Sequence, residues 1–289
     1  MRGFDLALPH GITLACRAAG TPGAPRVMLL HGFPEAAFVW DDVMQRLAPH
    51  ADGVAPNLRG YPGSSAPSDV AAYRPRQLVA DIAAAITALG GPLDLLVGHD
   101  WGGALAWNLA AAQPALMKRL LIVNAPHPAA FLRELRGNPA QQAASAYMNF
   151  LCRPDAEGLL AEGDFARLWP FFGDAAWLTD DLRAQYRAAW HNGGRGLTGA
   201  LNCYRASPLR PAAACDDPLH TLVLPDAAVS VPVPTTVLWG EADIALLPGL
   251  LDGLERWVPR LQLQRVPDAG HWIVHEQPAL VAEVIGSLL

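Results

Sequence analysis

Gly98-His99-Asp100-Trp101-Gly102-Gly103 sets an aspartate between glycines in the pattern G-x-nucleophile-x-G. The pattern serves a tight turn from a strand into a helix. A nucleophile at its apex adopts a strained backbone, and side chains two positions to either side would collide, so glycines flank it. The helix that follows presents backbone N–H groups to the reacting atom. Serine is the more usual central residue, and aspartate changes the chemistry. A carboxylate is ionised at neutral pH, attacks an electrophilic carbon without help from a base, and forms an ester. Taken alone, the motif would also suit Asp100 as a plain helix cap.

Three further motifs argue for chemistry. His31-Gly32-Phe33-Pro34 ends an earlier apolar run, where a loop could stabilise an oxyanion with the backbone N–H groups of Phe33 and Trp101. Trp239-Gly240-Glu241-Ala242-Asp243 ends a later run with an acid, and Gly270-His271-Trp272 follows the last with a histidine. The order nucleophile, acid, histidine is that of a catalytic triad on a strand-helix alternating fold. His271 would then activate the water that hydrolyses the ester, and Asp243 would fix its tautomer and stabilise the imidazolium. Glu241 competes for the role of acid, and the motif spacing favours Asp243. Asn124 stands where some such enzymes carry the acid instead. His275 lacks a preceding glycine and falls near the last helix, and His99 is expected to pack or hydrogen-bond locally.

These motifs need strands to end on. Short apolar runs at 27–30, 53–56, 93–97, 120–123, 235–239 and 261–266 alternate with helical patterns at 38–47, 75–89, 104–112, 246–257 and 278–288. Such alternation predicts right-handed βαβ units and a parallel sheet. Between about 128 and 231 no strand pattern is evident. The chain there is helical and rich in aromatic residues, and it is broken by prolines and by Gly193-Gly194-Arg195-Gly196. A doubly wound core carrying a helical insertion of roughly a hundred residues follows.

Composition narrows the class. In 289 residues, hydrophobic side chains make up 52% and charged ones 17%, enough apolar surface for a large core. A net charge of −6 argues against nucleic acid, which needs a basic face. No apolar run reaches the ~20 residues that span a bilayer, and the N-terminal stretch lacks the apolar core of a signal peptide. Cys16, Cys152, Cys203 and Cys215 form no CxxC pair and no metal-like spacing with histidine, so free thiols in a reducing, cytoplasmic compartment are expected. No metal or cofactor is called for.

The residues HGFPE, RGYPGS, GHDWGG, WGEAD and GHW, spread along essentially the whole chain, resemble the epoxide hydrolases of the α/β-hydrolase superfamily. More distantly they are similar to the haloalkane and haloacetate dehalogenases. The resemblance implies an α/β fold with a mostly parallel, doubly wound sheet and a helical cap inserted after the sixth strand. The core would be 1–126 and 233–289, and the cap 127–232. All three families use an aspartate nucleophile, so the core motifs do not choose among them. The insertion does. Tyr147 and Tyr204, the latter just before an arginine, look like the two lid tyrosines that hold and protonate the epoxide oxygen. The implied partners are a small-molecule epoxide and water. Phe33, Trp101, Phe150, Leu151, Phe171 and Trp272 are the candidate pocket, apolar or aromatic in character.

A haloalkane dehalogenase remains the alternative, because Trp101 suits a halide donor and Trp169, Trp177 or Trp190 could supply a second. Those enzymes usually have asparagine where Phe33 stands. Haloacetate dehalogenases usually carry arginine after the nucleophile, where this chain has Trp101. A hydrolase-fold protein that only binds ligands would show a damaged triad, and all three members are present.

Overall fold

The computed structural model describes residues 1–214 and 217–289. Its frame is one eight-stranded sheet: β1 (Arg2–Ala7), β2 (Thr13–Gly20), β3 (Arg26–Leu30), β4 (Asp52–Pro56), β5 (Leu93–His99), β6 (Met117–Val123), β7 (Thr235–Gly240) and β8 (Leu261–Val266). The spatial order is β1-β2-β4-β3-β5-β6-β7-β8, with β2 antiparallel to both its neighbours, β1 and β4, and every other pair parallel. The central strands are apolar throughout because helices cover both faces. On one face, α2 (Pro75–Ala88) and α3 (Trp101–Ala112) bury Leu78, Ile82, Leu105 and Leu109. On the other, α1 (Asp41–Leu47) and α12 (Pro278–Ser287) bury Val43, Met44, Val281 and Ile285.

Chain order turns back on itself between β3 and β5. At such a point the loops leaving two adjacent strands part to opposite faces and open a crevice. Phe33 leaves β3 there and Asp100 leaves β5. The nucleophile and its oxyanion loop are therefore neighbours by topology.

β1 and β2 lack an apolar run. β2 alternates, turning Leu14, Cys16 and Ala18 inward and the residues between them outward, as an antiparallel strand with one wet face does. The expected helix at 246–257 is two short 3₁₀ turns, Pro248–Leu251 and Leu254–Arg256, because Gly253 sits at φ 71° between them. Leu250, Leu251, Leu254 and Trp257 are nonetheless all buried. α3 begins at Trp101, directly after Asp100, earlier than the apolar spacing indicated.

Between β6 and β7 the described residues contain helices and no strand: α4 (Pro128–Gly137), α5 (Pro139–Ala144), α6 (Tyr147–Leu151), α7 (Ala156–Phe165), α8 (Asp180–His191), α9 (Thr198–Ala206) and α10 (Asp226–Val229). The last short helix before α12 is α11 (Ile273–Glu276). The insertion has its own aromatic cluster of Trp169, Phe172, Tyr186 and Trp190, in which neighbouring rings lie 4.5–6.3 Å apart. Among the described residues no helix is long and apolar enough to cross a membrane. Cys16, Cys152 and Cys203 are free thiols, and Cys215 lies outside the described residues.

Candidate active site

Asp100 sits at φ 50° and ψ −120°, a region that only strain or glycine ordinarily occupies. The neighbouring glycines make this possible. A Cβ at Gly98 would stand 2.5 Å from the Gly102 carbonyl oxygen, and one at Gly32 would run into the Asp100 carboxylate. The turn thus lifts the carboxylate into the crevice. Its Oδ1 accepts from the Phe33 N–H at 2.8 Å, and its Oδ2 lies 3.7 Å from His271 Nε2. Trp101 is the first residue of α3, so its N–H has no acceptor within the helix.

Behind the nucleophile the charge relay is complete. His271 Nδ1 donates to Asp243 Oδ2 at 2.7 Å. Asp243 is buried, and its Oδ1 accepts from the Ala245 and Leu246 N–H groups at 2.8 and 2.9 Å. Burial would raise its carboxyl, but the His271 charge and these hydrogen bonds hold it below the usual range. For His271, burial opposes the charge. The charge and hydrogen bond of Asp243, with Asp100 and Glu35 beyond, outweigh burial and raise the imidazole to about 9.

Asn124 does more than mark a missing acid. Its Nδ2 donates to Asp243 Oδ2 at 2.9 Å and to the Gly240 carbonyl at 3.1 Å, and its Oδ1 accepts from the Gly240 N–H at 2.8 Å. The amide supplies a donor to the acid and ties the ends of β6 and β7 together.

Tyr147 on α6 and Tyr204 on α9 face this apparatus from the insertion. Two cavities, of about 230 and 140 Å³, both reach Asp100, Tyr147 and Tyr204. Tyr204 packs edge-on against Phe33 and Trp101 at 5.2 and 5.0 Å, and the two phenol rings are 6.3 Å apart. Burial and the Asp100 charge push both phenols well above their usual range, so both keep their protons. The larger cavity follows one face of α3 through Trp101, Ala104, Leu105 and Asn108. The smaller one is walled by Phe33, Phe171, His271 and Trp272.

Phe150 and Leu151 line neither cavity. Leu151 is wholly buried in the hydrophobic core, and Phe150 carries the Arg153 guanidinium over its ring at 6.0 Å. Met148, one helical step earlier, takes the pocket position. None of the three candidate halide tryptophans lines either cavity. Trp169 donates its indole N–H to the Asp164 carbonyl and Trp190 donates to the Pro34 carbonyl, while Trp177 stacks on His275.

His99 is not held locally. Its Nδ1 meets Glu35 Oε2 at 3.0 Å and its Nε2 meets the His271 carbonyl oxygen at 2.8 Å. Glu35 is fully buried, and its other oxygen lies 3.0 Å from both Tyr186 OH and His275 Nε2. Burial would neutralise the carboxyl, but His275 and His99 hold it ionised. Sequence reasoning gave Glu35, Tyr186 and His275 no part. A glutamate inside the apolar stretch Phe33-Pro34-Glu35-Ala36-Ala37-Phe38 was the available signal, since such a charge needs partners.

The matching family model, the alpha/beta hydrolase fold, covers residues 25–278. AB hydrolase superfamily protein YfhM of Bacillus subtilis is 35% identical over 96% of this chain and 94% of its own length. Epoxide hydrolase 4 of Mus musculus is 31% identical over 94% of this chain and 75% of its own. A Bacillus megaterium epoxide hydrolase crystallised with an inhibitor superposes with a TM-score of 0.89 at 29% identity, covering 99% of both chains. With the elbow, the relay and the opposed phenols at one crevice, the chain belongs to the epoxide hydrolase family of the α/β-hydrolase fold.

Proposed function

We propose that the protein hydrolyses an epoxide to a vicinal diol through an ester on Asp100. The observation that carries this reading is the convergence of a carboxylate nucleophile and two protonated phenols on one apolar crevice. Asp100 Oδ2 attacks an epoxide carbon and the C–O bond breaks. The departing oxygen takes a proton from Tyr147 or Tyr204, without which it leaves poorly. Water activated by His271 then adds to the ester carbonyl. The Phe33 and Trp101 N–H groups hold the oxyanion, collapse releases the diol and restores the carboxylate, and the proton that His271 took from water returns to the phenolate. Residues 127–232 act as the cap and 1–126 with 233–289 as the core. Phe33, Trp101, Met148 and Trp272 face apolar space, which favours an apolar or aryl-bearing epoxide. The free thiols support placing the enzyme in a reducing compartment, the cytoplasm.

A single turnover in heavy-oxygen water tests the ester. Label is expected in Asp100, because water attacks the carbonyl carbon of the enzyme. Label confined to the diol would mean direct attack of water on the epoxide. A dehalogenase would instead need a second halide donor, and the tryptophans considered for it lie outside both cavities. Halide release from bromoalkanes with no diol from any epoxide would favour that chemistry.

A further inference from the structure

Glu35 takes no part in the two steps above, yet its carboxylate is the meeting point of three parts of the site. One oxygen binds His99, which comes from the elbow itself. His99 passes the contact to the backbone carbonyl of the base, His271. A carboxylate oxygen and a carbonyl oxygen can only accept, so it is the His99 ring that donates in these two contacts and joins Glu35 to the backbone of the base. The other Glu35 oxygen accepts from Tyr186 on α8 and from His275, which are also 2.9 Å from each other.

The insertion presses on this point from several directions. Trp190, also on α8, donates to the Pro34 carbonyl at 2.7 Å, and Trp177 stacks on His275 at 4.4 Å and 8°. Trp272 Nε1 donates to the Phe171 carbonyl at 2.9 Å. These contacts land within two residues of Phe33 and within four of His271. Neither Tyr147 nor Tyr204 is on α8.

We propose that Glu35 is a positioning residue for ester hydrolysis, holding His271 through His99, and that Tyr186 is the cap's grip on it. Seating of the cap thereby sets the aim of the base. The inference rests on the ester reading, since it concerns the second step. Misplacing a reacting group by about 1 Å costs roughly 10²-fold in rate, so modest loosening is measurable.

The test separates the two half-reactions by rapid mixing with styrene oxide, acid quench and mass spectrometry of the ester. Tyr186→Phe keeps the ring against Phe38 and Phe172, at 5.0 and 4.8 Å, and removes only the hydroxyl. It should slow ester decay several-fold while ester formation stays within about two-fold of the parent. Glu35→Ala should slow decay by roughly 10²-fold. Glu35→Gln should recover much of that loss, because its amide can donate to His99 Nδ1 while Nε2 still donates to the His271 carbonyl. Hydrogen exchange at 271–276 should quicken in Tyr186→Phe. Should Glu35→Ala fail to fold, the Tyr186 and Gln variants decide the matter alone. Equal slowing of both steps in Tyr186→Phe, or no change in either, would reduce the contact to packing and overturn the proposal. So would a Gln variant no better than Ala. Failure of the ester reading would show separately, as heavy oxygen absent from Asp100 in the parent.

Discussion

The core and the cap hold their reactive groups in opposite ways. In the core, Asp100, His271 and Asp243 form a line in which backbone N–H groups, and for Asp243 the Asn124 amide, prop the two carboxylates and Asp243 in turn holds His271. A buried charge without such partners would be neutralised. Across the crevice, the cap offers two phenols packed among rings, and burial beside Asp100 keeps them neutral. The division fits the reaction. The first step needs an anion on one side of the epoxide and a proton on the other, and these must not discharge each other beforehand. Placing them on separate chain segments, over apolar walls, keeps both forms ready.

If the division is correct, core and cap substitutions should fail at different steps. The largest effects belong to the core. Asp100→Ala should abolish turnover in a folded chain, since among the described residues no other carboxylate lines the cavities that both phenols reach. His271→Gln should still form the ester and then stall, so a covalent adduct should persist and be visible by intact-mass measurement. Loss of general base catalysis is typically worth about 10²–10⁴-fold, and here it should fall on hydrolysis alone. A folded His271→Gln variant that forms no adduct would move the histidine into the first step and blur the comparison.

The cap should show the converse. Tyr147→Phe or Tyr204→Phe should each slow ester formation by about ten-fold, since one donor remains, and the double variant should approach the ~10²–10⁴-fold typical of a lost general acid. Hydrolysis of an ester already formed should be little changed. A double variant that opens epoxides at the parental rate would remove the phenols from the chemistry.

Core and cap also differed in how much could be read from the chain, and for a physical reason. The elbow, the Asp243 loop and the His271 loop were legible because each stands at the carboxyl end of a strand. There, glycine spacing and residue order are dictated by backbone geometry. The 246–257 segment misled because Leu246, Leu250, Leu254 and Trp257 have helical spacing, while extended backbone at Leu247 and Asp252 and the positive φ of Gly253 break the helix. β1 and β2 escaped notice because an edge strand and its antiparallel neighbour, with one wet face, carry no apolar run. In the cap, α6 is only five residues long. Which of Met148, Phe150 and Leu151 meets the substrate depends on how that short helix docks, and periodicity over so few residues cannot say. The Glu35 cluster joins positions 35, 99, 186 and 275, and nothing local links them.

A smaller effect should sharpen the picture of the core. Asn124→Ala leaves Asp243 its two backbone donors and His271, but removes one amide donor. A hydrogen bond to a charged group contributes about 1.5–3 kcal/mol, so the thermal midpoint should fall and hydrolysis should slow by about ten-fold or more. Ester formation should be untouched. A variant equally slowed in both steps would mean that Asn124 supports the sheet edges more than the acid.

The mildest test uses pH alone. His271 is raised to about 9 in the folded protein, above its ordinary 6.5, chiefly because Asp243 outweighs the opposing cost of burial. A group whose pKa is raised on folding stabilises the fold fully below its unfolded value, and the contribution is lost as pH climbs through the folded value. Stability should therefore fall between about pH 6.5 and 9, and Asp243→Asn should flatten that fall, since the main cause of the shift is gone. The cap phenols stay protonated throughout this window, because burial lifts them further above their usual 10. The Tyr147→Phe/Tyr204→Phe variant should then lose stability with the parental slope. Denaturant midpoints at half-unit pH intervals would show it. A parental curve that rises across the window would place a neutral imidazole in the resting site. A changed slope in the double phenylalanine variant would mean that cap and core titrate together. With the expected slopes, the resting site holds an imidazolium between two carboxylates. Ester formation removes the Asp100 charge and with it part of what keeps the proton on His271, which moves the imidazole toward the free base that the second step needs.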